Sequence, residues 1–284
     1  MIMKPQDIRV LVIGAHPDDP DLLAGGVARK FVKIGATVRM ISLTNGDKGH
    51  QTMTPPELAK RRYGETLRSA RHLGINSYLV MDTPDCELEA SLEQRKNVTR
   101  LIRQFAPHIV LTHRNCDYHA DHRAAGTLVM DSAYLLGVPN WCPDTPIPPV
   151  MPAIFLQRDD FMDTWPLRPD VLVPVDDELD TLLTALTEHT SQFFEWLPFD
   201  MHTESEVPPA DDLEGRKRFI EKYWVGHRKC GDADRFRAKL VKALGPAGEK
   251  VRYVEPFELS QYGKQISVEE MRELFPFLEP GLVG

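Results

Sequence analysis

The sequence is poor in cysteine: Cys86, Cys116, Cys142 and Cys230 are widely separated, with no CxxC pair. That spacing supports neither a disulfide framework nor a cysteine zinc site. Free thiols in a reducing compartment are the simpler reading, and the expected location is cytoplasmic. Long apolar runs are absent too. No stretch approaches the roughly 18 apolar residues of a spanning helix, so no membrane span is expected. The apolar run Val10 to Ala15 is short and leads directly into His16 and Asp18, unlike a secretory signal. There is no excess of positive charge either. Lys and Arg total 34 against 42 Asp and Glu, a net charge of -8, which excludes a general nucleic-acid binder. Finally, no G-x-G-x-x-G follows the first apolar run, where the chain reads Gly14-Ala15-His16-Pro17. Asp18, Asp19 and Asp21 would repel a phosphate there.

What is present has the pattern of an α/β domain. Ile8 to Gly14 is a short β-branched apolar run, as expected of a strand covered on both faces. Asp21 to Ile34 has helical spacing, and Gly35 fits its stop. Strands over Thr37–Thr44, Ser77–Met81 and His108–Thr112 then alternate with helices over Pro55–Leu73, Leu92–Phe105 and Asp121–Leu136. Such alternation predicts βαβ units, a mainly parallel sheet and helices on both faces, in three layers. Ligands of such sheets bind beyond the carboxyl ends of the strands, where the polar loops at 16–19, 45–47, 82–85 and 113–122 should gather.

The second half is less regular. Six prolines between 139 and 152 mark an extended loop. Ala153–Leu156 and Val171–Val175 are expected as strands, and Asp176–Trp196 as one helix capped by Asp176. Leu213–Trp224 and Asp232–Leu244 also read as helices. The organisation expected is a single domain, 1–284, with a core over 8–200 and an irregular carboxyl-terminal extension over 201–284.

Two clusters carry chemistry. The first is Ala15-His16-Pro17-Asp18-Asp19-Pro20-Asp21, leaving a buried strand. A histidine and three acids so close together are buried only if paired or metal-bound. The plain alternative is a polar loop in which Asp19 and Asp21 cap a helix. The second cluster is Thr112 to Arg123, with His113, His119 and His122 and with Asp121 placed to orient one imidazole. His16, Asp19 and His122 would form a His₂Asp set of three protein ligands with an open position, the mark of catalytic zinc. Asp18 would then be free to act as general base, and His119 to stabilise an oxyanion or protonate a leaving amine.

Together, Ala15-His16-Pro17-Asp18-Asp19 and Asp117-Tyr118-His119-Ala120-Asp121-His122-Arg123 resemble the paired motifs of the PIG-L/LmbE-like de-N-acetylases. The resemblance covers roughly residues 8 to 137. It implies a Rossmann-like fold, one zinc ion per chain and hydrolysis of an N-acyl group, often on N-acetylglucosamine-type sugars. By position it makes His16, Asp19 and His122 the zinc ligands, Asp18 the general base, His119 the charged partner of the tetrahedral intermediate and Asp121 the support of an active-site histidine. Arg62 and Glu65 resemble the family's Arg-x-x-Glu helix, which would point Arg62 at the substrate; a solvated arginine is the competing reading. His189-Thr190-Ser191-Gln192 resembles a later helix of the family. Asp21 stands where the family commonly has glutamate. Trp141, Trp165 and Trp196 are candidates for stacking on a sugar ring, with a place in the core as the commoner fate. The expected partner is a small N-acetylated sugar or glycoconjugate; the oligomeric state, a homo-oligomer included, stays open. Two other readings remain at this stage: a binding module without catalysis, and a zinc hydrolase of another amide such as a thiol conjugate.

Overall fold

The computed structural model describes residues 4–162 and 165–284, except for the side chains of His227 and Cys230. Seven strands form one sheet: β1 (Arg9–Gly14), β2 (Thr37–Thr44), β3 (Ser77–Thr83), β4 (Ile109–Thr112), β5 (Ala153–Leu156), β6 (Val171–Pro174) and β7 (Val254–Gly263). Their order is β3-β2-β1-β4-β5-β7-β6. The pairings from β3 through β5 are all parallel, and β7 runs antiparallel to both of its neighbours. Four helices complete the first half: α1 (Asp19–Lys33), α2 (Pro55–Leu73), α3 (Leu92–Phe105) and α4 (Ala120–Leu135).

The alternation of side chains along β1 decides the layers. Val10 and Val12 join one core with Val27, Phe31, Val38 and Leu73, under α1 and α2. Leu11 and Ile13 join another with Ile41, Val98, Ile102, Leu128 and Val129, under α3 and α4. Both sets are fully buried, which is why β1 is apolar from Val10 to Ile13. Truncating Leu11 to alanine would cost about 2–5 kcal/mol. The chain leaves β1 toward β2 on one side and returns through β4 on the other, so the carboxyl ends of β1 and β4 flank a topological switch point.

The second half departs from expectation in identifiable places. Asp176–Trp196 is not one helix but a 3-10 turn at Asp176–Glu178, α5 (Leu179–Thr187) and a π turn at Gln192–Trp196. The interruption has a cause in Glu65, whose carboxylate accepts the Ser191 N–H (3.0 Å) and hydroxyl (2.6 Å), removing that amide from the helical ladder. Asp176 does not cap; its carboxylate accepts the N–H groups of Arg252 and Tyr253. After α6 (Leu197–Met201), the expected helix at 213–224 is α7 (Leu213–Ile220) continued by π turns to Cys230, and that at 232–244 divides into α8 (Gly231–Arg235) and α9 (Arg237–Leu244). β7 and α10 (Val268–Leu274) carry no signal strong enough to predict. Pro256 and two glutamates break the strand pattern of β7. Glu255 is nevertheless buried, accepting the N–H groups of Gly26 (3.0 Å) and Val27 (2.7 Å) in α1 and the Lys229 ammonium (2.7 Å). Among the described residues, no helix is long and apolar enough to cross a membrane.

Candidate active site

The turn after β1 is tight because Gly14 has no side chain. A Cβ there would lie 2.6 Å from Pro20 Cδ and 2.8 Å from Asp19 Cβ. The start of α1 therefore folds back over the strand end. Asp19 Oδ2 accepts the N–H groups of Ala15 (3.1 Å) and His16 (2.7 Å), so the carboxylate is held over the loop instead of capping the helix.

His122 arrives from the first turn of α4. His16 Nδ1 lies 3.3 Å from Asp19 Oδ2 and 3.2 Å from His122 Nε2, and His122 Nε2 lies 3.4 Å from Asp19 Oδ2. These three atoms form a nearly equilateral triangle. Tetrahedral ligands on arms of 2.0–2.1 Å are separated by about 3.3–3.4 Å, so the triangle has the size of one face of a zinc coordination sphere. The opposite edges of the rings are supported by carboxylates. His16 Nε2 lies 3.1 Å from Asp85 Oδ1 and 3.4 Å from Asp121 Oδ2, and His122 Nδ1 lies 3.0 Å from Asp117 Oδ1. Carboxylates in this position fix the tautomer and orientation of metal-binding imidazoles.

The electrostatics also call for a cation. Burial opposes charge on both rings, yet Asp121, Asp19 and Asp85 hold His16 well above the ordinary histidine range, and Asp19 and Asp117 hold His122 up to about 9. Burial opposes ionisation of Asp19, but His122 and His113 hold it well below the usual carboxylate range. The acidic surroundings that raise both imidazoles equally favour a divalent ion in place of their protons. The donor set and the spacing both fit such an ion.

The other expected residues surround this triangle. Arg62 is buried, not solvated: Nη2 donates to Asp18 Oδ1 (2.7 Å) and Nη1 to the Gly46 carbonyl (3.2 Å). His119 Nδ1 accepts the Asp121 N–H (3.1 Å), so the neutral ring carries its proton on Nε2. Burial, then His16 and His122, push the His119 pKa down. Asp121 lies beneath His16 and accepts the N–H groups of Cys86 (2.8 Å) and Leu88 (3.3 Å). Asp21 does not face the site. It is fully buried and accepts the hydroxyls of Ser69 and Tyr78, with His189 Nε2 at 3.5 Å, bracing α1 against α2 and β3.

Three residues at the site have no role in the sequence reading: His113, Asp85 and Asp117. His113 stacks on His122 with ring centroids 4.3 Å apart, and its Nε2 accepts the Ala15 N–H (3.2 Å). The signal for it is the register. Ile13 pairs with Thr112, which brings His113 beside the Gly14-Ala15 turn as the two strands end. A cleft of about 410 Å³ opens above the triangle, lined by Asp18, Arg62 and His119 and walled by Phe193, Trp196 and Trp224. Of the three tryptophans singled out from the sequence, only Trp196 reaches it. The Trp141 indole donates to Thr99 Oγ1 (3.0 Å), and Trp165 packs under the Arg114 guanidinium.

Fold and site together define a doubly wound α/β protein with a buried His/Asp centre at its switch point, an arrangement suited to metal-assisted hydrolysis. The family model PIG-L, described as GlcNAc-PI de-N-acetylase, matches residues 11–133, from β1 through most of α4. The diacetylchitobiose deacetylase of Thermococcus kodakarensis is 33% identical over 201 residues, covering 67% of this chain and 74% of that one. A 1D-myo-inositol 2-acetamido-2-deoxy-alpha-D-glucopyranoside deacetylase of Thermobispora bispora is 27% identical over 147 residues, 41% of this chain and 48% of its own, so the chain spans about half of that relative. Among solved structures, the N,N'-diacetylchitobiose deacetylase of Pyrococcus horikoshii superposes with a TM-score of 0.65 at 25% identity, over 92% of this chain and 87% of that one. A 4-carboxy-2-hydroxymuconate hydratase from Pseudomonas putida superposes with a TM-score of 0.66 at 17% identity, a likeness of fold alone. The chain belongs to the PIG-L family of LmbE-like deacetylases, and it is an enzyme of the hydrolytic de-N-acetylase type.

Proposed function

We propose that this enzyme removes the acetyl group from an N-acetylated amino sugar or glycoconjugate of the N-acetylglucosamine type, with one zinc ion per chain held by His16 Nδ1, Asp19 Oδ2 and His122 Nε2. The observation that carries this reading is the triangle of ligand atoms, 3.2–3.4 Å on each side. A bound zinc ion would supply Lewis acidity that polarises the acetyl carbonyl and acidifies water.

The remaining work falls to the chain. Arg62 fixes one oxygen of Asp18, and the second has no partner among the described residues. Asp18 takes the proton of the attacking water through that free oxygen and later delivers it to the product amine. His119 lines the cleft with its proton on Nε2 and donates to the oxygen on which charge develops. Asp85, Asp121 and Asp117 hold the two ligand imidazoles in place. Trp196, half-buried in the cleft wall, offers an aromatic face to the apolar face of a sugar ring, while Trp224 and Phe193 are buried in the wall itself. The names of the two deacetylase relatives support an amino-sugar substrate.

The test is acetate release from N,N'-diacetylchitobiose and from N-acetylglucosamine conjugates, with metal content measured in parallel. Chelation should abolish turnover, and one equivalent of zinc should restore it. A zinc-loaded protein that releases acetate from none of these, or a chelated protein that keeps full activity, overturns the proposal.

A further inference from the structure

Taken pair by pair, the Lys and Arg side chains of the cleft leave one guanidinium without a partner among the described residues. Four basic side chains line it: Lys48, Arg62, Arg158 and Arg228. Lys48 pairs with Glu87 at 2.5 Å, Arg62 with Asp18 at 2.7 Å, and Arg158 with Asp232 at 2.8 Å and Asp160 at 2.6 Å. Arg228 has no hydrogen bond or ion pair among the described residues, although it is half-buried in the cleft wall. The cleft acids Asp159 and Asp160 are already engaged, by Arg114 and Arg158. Asp200 is exposed on α6 and unpaired among the described residues, where solvent screens it. Tyr118 lines the same cleft as Arg228, and its hydroxyl has no hydrogen bond among the described residues. A guanidinium and a phenol without partners, in the wall of a substrate cleft, form a donor set for an anion.

We infer that Arg228 and Tyr118 form an anion-recognition subsite, so that the preferred substrate carries a carboxylate or phosphate on the sugar or on its neighbouring group. Arg228 supplies a planar fork of donors to the anion, and Tyr118 adds a hydroxyl donor. This deepens the amino-sugar reading and rests on it for the identity of the substrate. Arg228 acts on specificity through binding and takes no part in the bond-breaking step.

The experiment has a turnover arm and a binding arm. In the first, the zinc-loaded full chain is assayed on N-acetylglucosamine, N-acetylglucosamine 6-phosphate and N-acetylmuramic acid, so that phosphate and carboxylate are distinguished. The expected result is a preference of about tenfold or more in kcat/KM for one anionic sugar, carried by KM. Raising the salt should shrink the preference. In Arg228→Gln the ratio of anionic to neutral substrate should fall to about one, with Arg228→Lys recovering part of it. In the second arm, glucosamine and glucosamine 6-phosphate or muramic acid are titrated calorimetrically, which needs no turnover. Tighter binding of an anionic amine, lost in Arg228→Gln, supports the subsite even if no acetate is released from any sugar; in that case the substrate reading fails and the subsite stands. Equal binding of neutral and anionic sugars by the unaltered protein, or a preference that survives in Arg228→Gln, overturns the inference.

Discussion

Arg62 Nη2 donates to Asp18 Oδ1 at 2.7 Å, so a buried guanidinium from α2 fixes the carboxylate that borders the His/Asp triangle. The same guanidinium is seated against Gly46, whose φ of +66° and lack of a side chain leave room for it. Replacing Arg62 by lysine keeps the charge and loses the planar two-pronged contact. The expected outcome is a fall in kcat of about a hundredfold, the scale of a misplaced reacting group. Asp18→Asn should lower kcat by about 10²–10⁴-fold. Zinc content should stay unchanged in both, and loss of metal from either variant would contradict the roles given to these residues.

Gly14→Ala tests the turn. Its Cβ would meet Pro20 and Asp19 well inside contact distance, so the start of α1 must shift. The expected cost is about 1–3 kcal/mol of stability, as for overpacked sites. Because Asp19 shifts with the helix, metal retention should weaken in proportion. Thermal unfolding with and without added zinc separates the two effects.

Asp21→Ala removes the acceptor of the Ser69 and Tyr78 hydroxyls and the carboxylate beside His189, leaving two buried hydroxyls unpaired. A loss of about 3–5 kcal/mol is expected, with Asp21→Asn costing less because it keeps an acceptor oxygen. Since this carboxylate contacts none of the three triangle residues, the folded fraction of either variant should bind zinc like the unaltered protein. Chemical denaturation beside metal titration checks this.

Glu195 gives a pH-dependent contribution away from the metal centre. Burial pushes its pKa up, but Arg61 and His50 outweigh that and hold it below the ordinary glutamate value. A carboxylate depressed in the fold contributes stability above its unfolded pKa of about 4.3 and loses it as the pH falls through the lower folded value. The stability difference between the protein and Glu195→Gln should therefore be constant above about pH 5 and shrink at more acid pH. A difference that grows on acidification would refute the pairing. The group is partly exposed, so the effect should also weaken in salt.

The parts of the fold that could be read from the sequence are those where one physical rule acts alone. β1 is apolar from Val10 to Ile13 because both faces are covered, and the loops after β1 and β4 are polar where they line the cleft. His16, Asp18, Asp19, His119, Asp121, His122 and Arg62 all lie within or beside the cluster those two loops build. Asp85 and His113 escaped because their partners His16 and Ala15 are distant in sequence, whereas Asp117 lies within the second cluster, where nothing in the spacing marks it as the support of His122. The same applies to the break before Ser191, where Glu65 from α2 overrides helical spacing. Arg228 and Trp224 lie in π-helical turns after α7, where the side-chain period is not that of an α-helix, so no stripe announces the face they share.

The Glu255 contacts to Gly26 and Val27 link β7, the last strand in chain order, to the helix that begins with Asp19. The residues of the His/Asp triangle are complete by residue 122, but the helix that carries Asp19 gains its Glu255 contacts only once β7 lies between β5 and β6. On a ribosome, where the amino-terminal part emerges first, the strands and loops of the centre exist long before their clamp does. If the triangle holds zinc as proposed, full-strength capture is expected only after Glu255 has joined α1, and Glu255→Gln should weaken zinc retention, which metal titration checks.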